Sequence, residues 1–316
     1  RLDECAFAIQ DIVGEANRGI AIQDAHANGL CFAKPLQQSI PLLAEAYNLS
    51  MKAGDTEYAN WSLLFFVAMV PYILGKKLGP LLEECQKALT HVEEGGRADH
   101  VVTMKLMIHL IKNLQGKNGR QSLRSTDLPD DWKTTPMYIG TAHFTQCEIL
   151  FFSNLEAAAD VSIRNGDLLK KSLPGTILTM IDSFHQAVSL YIMARRTKKR
   201  KYKVSAKRLR KKLQRWAKAG NPNVVHFVML LDAEDAALTK NIEAATENYQ
   251  KSIVFAGRIG ELHHAGMFNE RYADFLLDVC GDSEGAKYQI SPAIRYYQDW
   301  GADGKVNDLQ TKHDSL

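Results

Sequence analysis

Two histidine-containing pairs and one cationic run are the residues of this 316-residue chain whose types and spacing could do chemistry. His143 and Cys147 stand four apart, so on a helix they share a face, and an imidazole nitrogen beside a thiolate sulfur is a donor pair that suits zinc. Nothing in the sequence supplies the second pair a closed zinc site needs, and cysteine is commonly a small core residue, so the reading favours packing. His263 and His264 are adjacent, point to different faces of a helix and make a poor metal pair. Glu83-Glu84 and Glu93-Glu94 read as helix surface rather than as a matched acid and base. The chain has no Gly-x-x-x-x-Gly-Lys-Ser/Thr phosphate loop, no Gly-x-Gly-x-x-Gly, no Gly-x-Ser-x-Gly and no His-Glu-x-x-His. The nearest echo of a phosphate loop, Gly281 to Lys287, has the wrong spacing and lacks the hydroxyl residue after Lys287. The sequence therefore assigns no catalytic residue, no cofactor and no metal.

The cationic run is the one live binding signal. Arg195 to Lys218 carries 14 Lys and Arg and no acid, which leaves 25 basic against 36 acidic side chains in the rest of the chain. A basic segment in an acidic body can dock on that body, on an acidic partner or on phosphates. The candidate contacts are Lys198, Lys199, Arg200 and Lys201, followed by Lys207, Arg208, Arg210, Lys211 and Lys212. Nucleic acid, an anionic membrane surface and nuclear import are readings of the same cations, but no nucleic-acid-reading fold accompanies them; a lysine-rich helix face is most often plain solvated surface, and among binding readings an acidic protein or an intramolecular contact ranks above nucleic acid.

Helices must position these residues. Nine prolines in 316 residues and apolar residues recurring every three or four positions predict an all-α chain. Helices are expected over Glu4–Ala33 (one or two), Pro35–Ala53, Thr56–Leu74, Leu81–Val92, Ala98–Leu114, Met137–Phe152, Leu155–Asn165, Thr176–Ala194 and Asn223–Leu238. Gly54-Asp55 reads as the end of one helix and the cap of the next. In the cationic run, RRTKKRKYK lacks an apolar face and reads as solvated loop, whereas residues 205–219 carry Ala206, Leu209, Leu213 and Trp216 on one stripe that would hold a helix down with its cations outward.

The longest apolar stretch, Leu63 to Leu74, is twelve residues including Pro71, well short of the roughly 20 a membrane span needs. Five cysteines, Cys5, Cys31, Cys85, Cys147 and Cys280, form no CxxC pair, which suggests a reducing, cytoplasmic setting. The sequons at Asn48 and Asn60 read as chance, and the start at Arg1 suggests a piece of a longer protein.

Towards the C-terminus the pattern becomes repetitive. Ala245, Tyr249 and Ser252 are spaced four then three apart, as are Ala286, Ile290 and Ala293 about forty residues later. A small–large–small face repeated at a fixed longer period marks a helical repeat array with a concave surface for a protein or peptide. The expected organisation is N-terminal helical repeats over 1–114, a flexible loop over 115–136, and C-terminal repeats over 137–316 with a short capping helix bearing Val306 and Leu309.

The segment Tyr296-Tyr297-x-x-Trp300-Gly301-Ala302-x-x-Lys305-Val306-x-x-Leu309 resembles the end of the helical-repeat region of multidomain signalling proteins carrying a predicted P-loop ATPase of the STAND type. Asn248-Tyr249-x-x-Ser252-Ile253-x-x-Ala256 is similar to the part before it, and the stretch from Pro35 through Leu42-Leu43-Ala44-Glu45-Ala46-Tyr47 to Gly54-Asp55-x-x-Tyr58-Ala59 to an earlier part. That region joins a protein kinase-like domain and the ATPase to sensor, histidine kinase or cyclase modules. The resemblance implies a tetratricopeptide-like helix-hairpin solenoid acting as a non-catalytic scaffold for those neighbouring domains. It carries no ATPase or kinase motif into this chain.

Overall fold

The computed structural model describes residues 14–117 and 136–313, and among these every regular element is helical. Most of the expected loop over 115–136, and the helix start at Glu4, fall outside the described residues. The N-terminal helices are α1 (Gly14–Asp24), α2 (Ser39–Lys52), α3 (Thr56–Leu64, continued by a π turn, Phe65–Met69, and a last α turn, Val70–Ile73), α4 (Leu78–Gly95) and α5 (Ala98–Leu114). After the gap come α6 (Pro136–Ser153), α7 (Leu155–Asn165), the short α8 (Leu168–Ser172), α9 (Leu178–Thr197) and α10 (Arg200–Lys218). The remainder is α11 (Val225–Leu238), α12 (Ile242–Arg258), α13 (Leu262–Phe275, continued by a π turn to Cys280), α14 (Ser283–Trp300) and α15 (Asp303–Lys312).

Local chemistry sets many of these boundaries. The side chains of Asp55, Asn154, Asn241 and Asp282 each accept a backbone N–H from the first turn of α3, α7, α12 and α14, a cap worth about 1 kcal/mol apiece. Gly301 closes α14 at φ 87°, in the left-handed region that a side chain resists. Ala245, Tyr249 and Ser252 on α12, and Ala286, Ile290, Ala293 and Trp300 on α14, are all buried. Tyr249 sits 5.3 Å from the ring of Tyr272 on α13, so the small–large–small faces of α12 and α14 flank that helix.

Consecutive helices pack as neighbours along most of the chain, but two of them are covered on every side. All residues from Leu178 to Ala194 of α9 and from His263 to Phe275 of α13 are buried. These two helices lie inside the molecule because its ends meet around them. Asn223 reaches the N-terminal segment, accepting from the Leu36 N–H at 3.0 Å and donating to the carbonyls of Cys31 and Lys34. The Phe32 ring meets Trp216 of α10 edge-on, and Tyr72 of α3 lies 6.1 Å from Trp300 of α14. At Gly75 (φ 72°) a β-carbon would stand 2.5 Å from the His263 ring, so the turn after α3 presses directly on α13. One hydrophobic core runs from Ala27 to Leu309.

The cationic run departs from expectation. Instead of a loop through RRTKKRKYK and a helix over 205–219, α9 extends to Thr197, only Lys198 and Lys199 separate the helices, and α10 begins at Arg200. Tyr202 is the reason. It is buried, its hydroxyl donates to Asp160 at 2.8 Å, and it extends the stripe of Ala206, Leu209 and Leu213 one turn further back.

Candidate functional site

The cations of α10 divide into two groups. Those on its flanks are turned to neighbouring helices: Lys207 pairs with Asp235, Arg210 bridges Asp232 and Asp235, and Lys212 donates to Ser183 while lying over the Trp216 ring. Arg195, at the end of α9, goes further in and pairs with the buried Glu234. For Lys207, Arg210 and Lys212, the expectation that this helix leaves its cations outward is therefore corrected. The stripe alone does not show that α11 brings Asp232 and Asp235 alongside.

The outward group is exposed. Arg200, Arg208, Lys211, Arg215 and Lys218 run along the face opposite the buried stripe, with Val204 at 56% exposure among them. None of these five makes an ion pair or hydrogen bond among the described residues. Lys201 is exposed over the Tyr202 ring, while Lys198 and Lys199 form the joint between α9 and α10. Lys198 and Lys240, the only non-glycine residues with positive φ among those described, line a cleft of about 470 Å³ with Arg195, Arg196 and Asp278.

The interior holds a second concentration of chemistry, built from α6, α9, α11 and α13. His143 and Cys147 do share a face of α6, with the sulfur 3.5 Å from His143 Nε2, and α9 brings Asp182 to 3.9 Å from the same nitrogen. This third donor, remote in sequence, is what sequence reasoning lacked. Burial pushes the His143 imidazole down to about 4 and the Cys147 thiol well up. Asp182, accepting from Gln186 at 2.8 Å but with Oδ1 unpartnered, is pushed up to about 7, chiefly by burial.

A few ångströms away, Glu148 accepts from Tyr72 at 2.8 Å and meets His185 Nδ1 at 2.5 Å, with Phe151 stacked on the His185 ring. His264 follows, its ring 6.4 Å from that of His185. His264 Nδ1 lies 2.5 Å from Glu261 Oε2, and His226 Nε2 approaches the same oxygen at 2.9 Å. The carboxylate is the only polar contact of this fully buried imidazole, and its Nδ1 has no partner. Each such group costs roughly 1–3 kcal/mol. Burial by itself would raise the Glu261 carboxyl, but the two imidazoles outweigh it and hold it well below the carboxylate range. Burial holds His264 down at about 4.

Because α13 is covered all round, both His263 and His264 are buried, with ring centroids 3.8 Å apart. The Glu261-x-x-His264 spacing, one helical turn with both side chains on one face, was a signal in the sequence. His226, 35 residues earlier, comes to it only through the packing of α11.

The last helix adds a different kind of polar interior. Arg271 donates to Glu234 at 3.0 Å and to Asp274 at 2.5 Å, Lys312 donates to Asp274, and Lys305 and Tyr297 both donate to Glu270. Burial would raise Asp274, but Arg271 and Lys312 bring it down to about 2. No helix among the described residues is long and apolar enough to cross a membrane. No family model, curated protein or solved structure matches the chain.

Proposed function

We propose that this chain is a non-catalytic helical scaffold, built of tetratricopeptide-like hairpins, that holds an acidic protein surface along the outward face of α10. The observation that carries the reading is the contrast between the two sides of that helix. Its flank cations are answered by Asp232, Asp235 and Ser183, while Arg200, Arg208, Lys211, Arg215 and Lys218 remain free of any partner among the described residues. A straight face of 19 residues, about 28 Å long, with an exposed Val204 between its cations, suits a helix or strand that carries carboxylates beside one apolar anchor.

Nucleic acid is the second reading of the same charges, and the aromatics weigh against it. Proteins that hold single strands present exposed rings for bases to stack on. The two aromatics of α10 are instead committed to the core and its edge: Tyr202 is buried, and Trp216 is half-buried under Lys212 and against Phe32. By the resemblance in sequence, the partner would be a neighbouring ATPase or kinase module of a longer signalling protein.

The test is fluorescence anisotropy of the full chain with a labelled glutamate-rich peptide and, separately, with duplex DNA and single-stranded RNA at matched salt. The triple variant Arg208→Ser, Lys211→Ser, Arg215→Ser should weaken peptide binding by at least about tenfold, a loss of some 1.4 kcal/mol, without unfolding the chain. Peptide binding that survives the triple variant removes the proposal. Tighter binding to either nucleic acid that is abolished by the triple variant replaces it with the second reading.

A further inference from the structure

From the positions of His226, Glu261 and His264 we infer a buried binding site for one divalent transition-metal ion of the zinc class, held by two imidazole nitrogens and one carboxylate oxygen. The three donor atoms lie within 4.8 Å of one another, and all three residues are buried. His264 Nδ1 and His226 Nε2 converge on the same oxygen of Glu261, one from the helix that carries the glutamate and the other from α11. Two imidazoles and a carboxylate are a familiar donor set for zinc and its neighbours in the first transition row.

Three features make the convergence more than a hydrogen-bonded cluster. First, the fully buried His226 meets only the Glu261 carboxylate through Nε2, at 2.9 Å, and leaves Nδ1 without a partner, so its one polar contact is the carboxylate that His264 also meets. Second, the walls are aromatic. Phe227 lies 4.0 Å from the His226 ring, and Phe184 and Phe268 flank His264, so apolar rings shield the donors from solvent. Third, the donors stand on packed helices, with Glu261 and His264 one turn apart at the start of α13. An ion about 2.0 Å from each donor spreads neighbouring donors to about 3.3 Å, so the present separations of 2.5 and 2.9 Å need widen by less than an ångström. The site lies away from the outward face of α10 and is independent of what that face binds.

The second buried triad, His143, Cys147 and Asp182, is the natural rival for the same ion, and the experiment separates the two. The full chain is stripped with a chelator and titrated with Zn²⁺ against a chromophoric competitor, then with Co²⁺ while its visible spectrum is recorded. One equivalent of Zn²⁺ should bind, and His226→Gln and His264→Gln should each weaken it by at least about tenfold, no less than loss of an outer-shell partner brings. Cys147→Ser should leave it unchanged. Bound Co²⁺ should show four-coordinate d–d bands without a thiolate-to-cobalt charge-transfer band. This readout needs no variant and so stands even where a histidine substitution prevents folding. Zn²⁺ no tighter than the competitor, loss of binding in Cys147→Ser, or a charge-transfer band that disappears in that variant each overturns the assignment.

Discussion

Two buried polar regions lie side by side in this protein and treat their carboxylates in opposite ways. Around Arg271, each acid faces permanent cations: Glu234 has Arg195 and Arg271, Asp274 has Arg271 and Lys312, and Glu270 has Lys305. Around His264, Glu148, Glu261 and Asp182 face imidazoles, a phenol or an amide, and His226, His185 and Asp182 each keep an unpartnered atom. The first region pairs each carboxylate with a permanent cation, although Tyr249 Oη and His313 Nε2 beside it make no hydrogen bond, and it serves to join α9, α11, α13 and α15. The second has no permanent cation in direct contact with its carboxylates. Burial of charge alone does not mark a functional site; carboxylates and imidazoles that converge without a permanent cation are the better candidates.

The sharpest way to break this comparison is to remove a cation from the first region. Arg271→Met leaves Glu234 with Arg195 alone and Asp274 with Lys312 alone, and should cost about 3–5 kcal/mol in urea unfolding, because uncompensated charge remains buried. A cost under about 1 kcal/mol would show that the two regions do not differ as described.

Acid should separate the regions in pH. His264 and His143 are held at about 4 in the folded chain, below their ordinary 6.5, so the unfolded chain takes up protons first as pH falls. Their contribution to stability is present above about 6.5 and is lost as pH falls to about 4. Asp274, held at about 2 against its ordinary 3.8, keeps its contribution until pH falls below about 4 and loses it as pH passes through about 2. Unfolding free energy measured against pH should therefore fall in two steps. A single step confined to pH below 4 would mean that the histidines contribute nothing.

The smallest effect, and the one opposite in sign, is expected at Asp182. Its carboxyl is raised to about 7, so its contribution to stability falls as pH rises from about 4 to about 7. Asp182→Asn keeps an acceptor for Gln186 and removes the buried charge. At pH 8 the variant should match or exceed the parent by about 1 kcal/mol, whereas a loss of several kcal/mol would show that the Asp182 charge is compensated after all.

Much of the helical layout was legible in the residues. The expected spans Ala98–Leu114 and Leu155–Asn165 have the ends the structure gives them, and the structure shows local chemistry at the second: the Asn154 side chain caps its start and Gly166 follows its end. The start of α10 lies earlier than the stripe of Ala206, Leu209, Leu213 and Trp216 implies, because Tyr202, one turn before it in a lysine-rich run, buries its ring while donating its hydroxyl to Asp160. The pairing of His143 with Cys147 was visible at spacing i, i+4. The donors that complete each triad, Asp182 and His226, were not, since they come from other helices.

The sequence by itself determined that this chain is helical, where most helices begin and end, and that its charge is concentrated in one segment, because periodicity, caps and composition act over a few residues at a time. Only the tertiary structure decided which of those cations are free, which histidines lie inside, and that two helices are enclosed on every side. Those outcomes depend on Asn223 meeting Leu36, Trp300 meeting Tyr72 and Gly75 pressing on His263, contacts between segments some two hundred residues apart that no local pattern records.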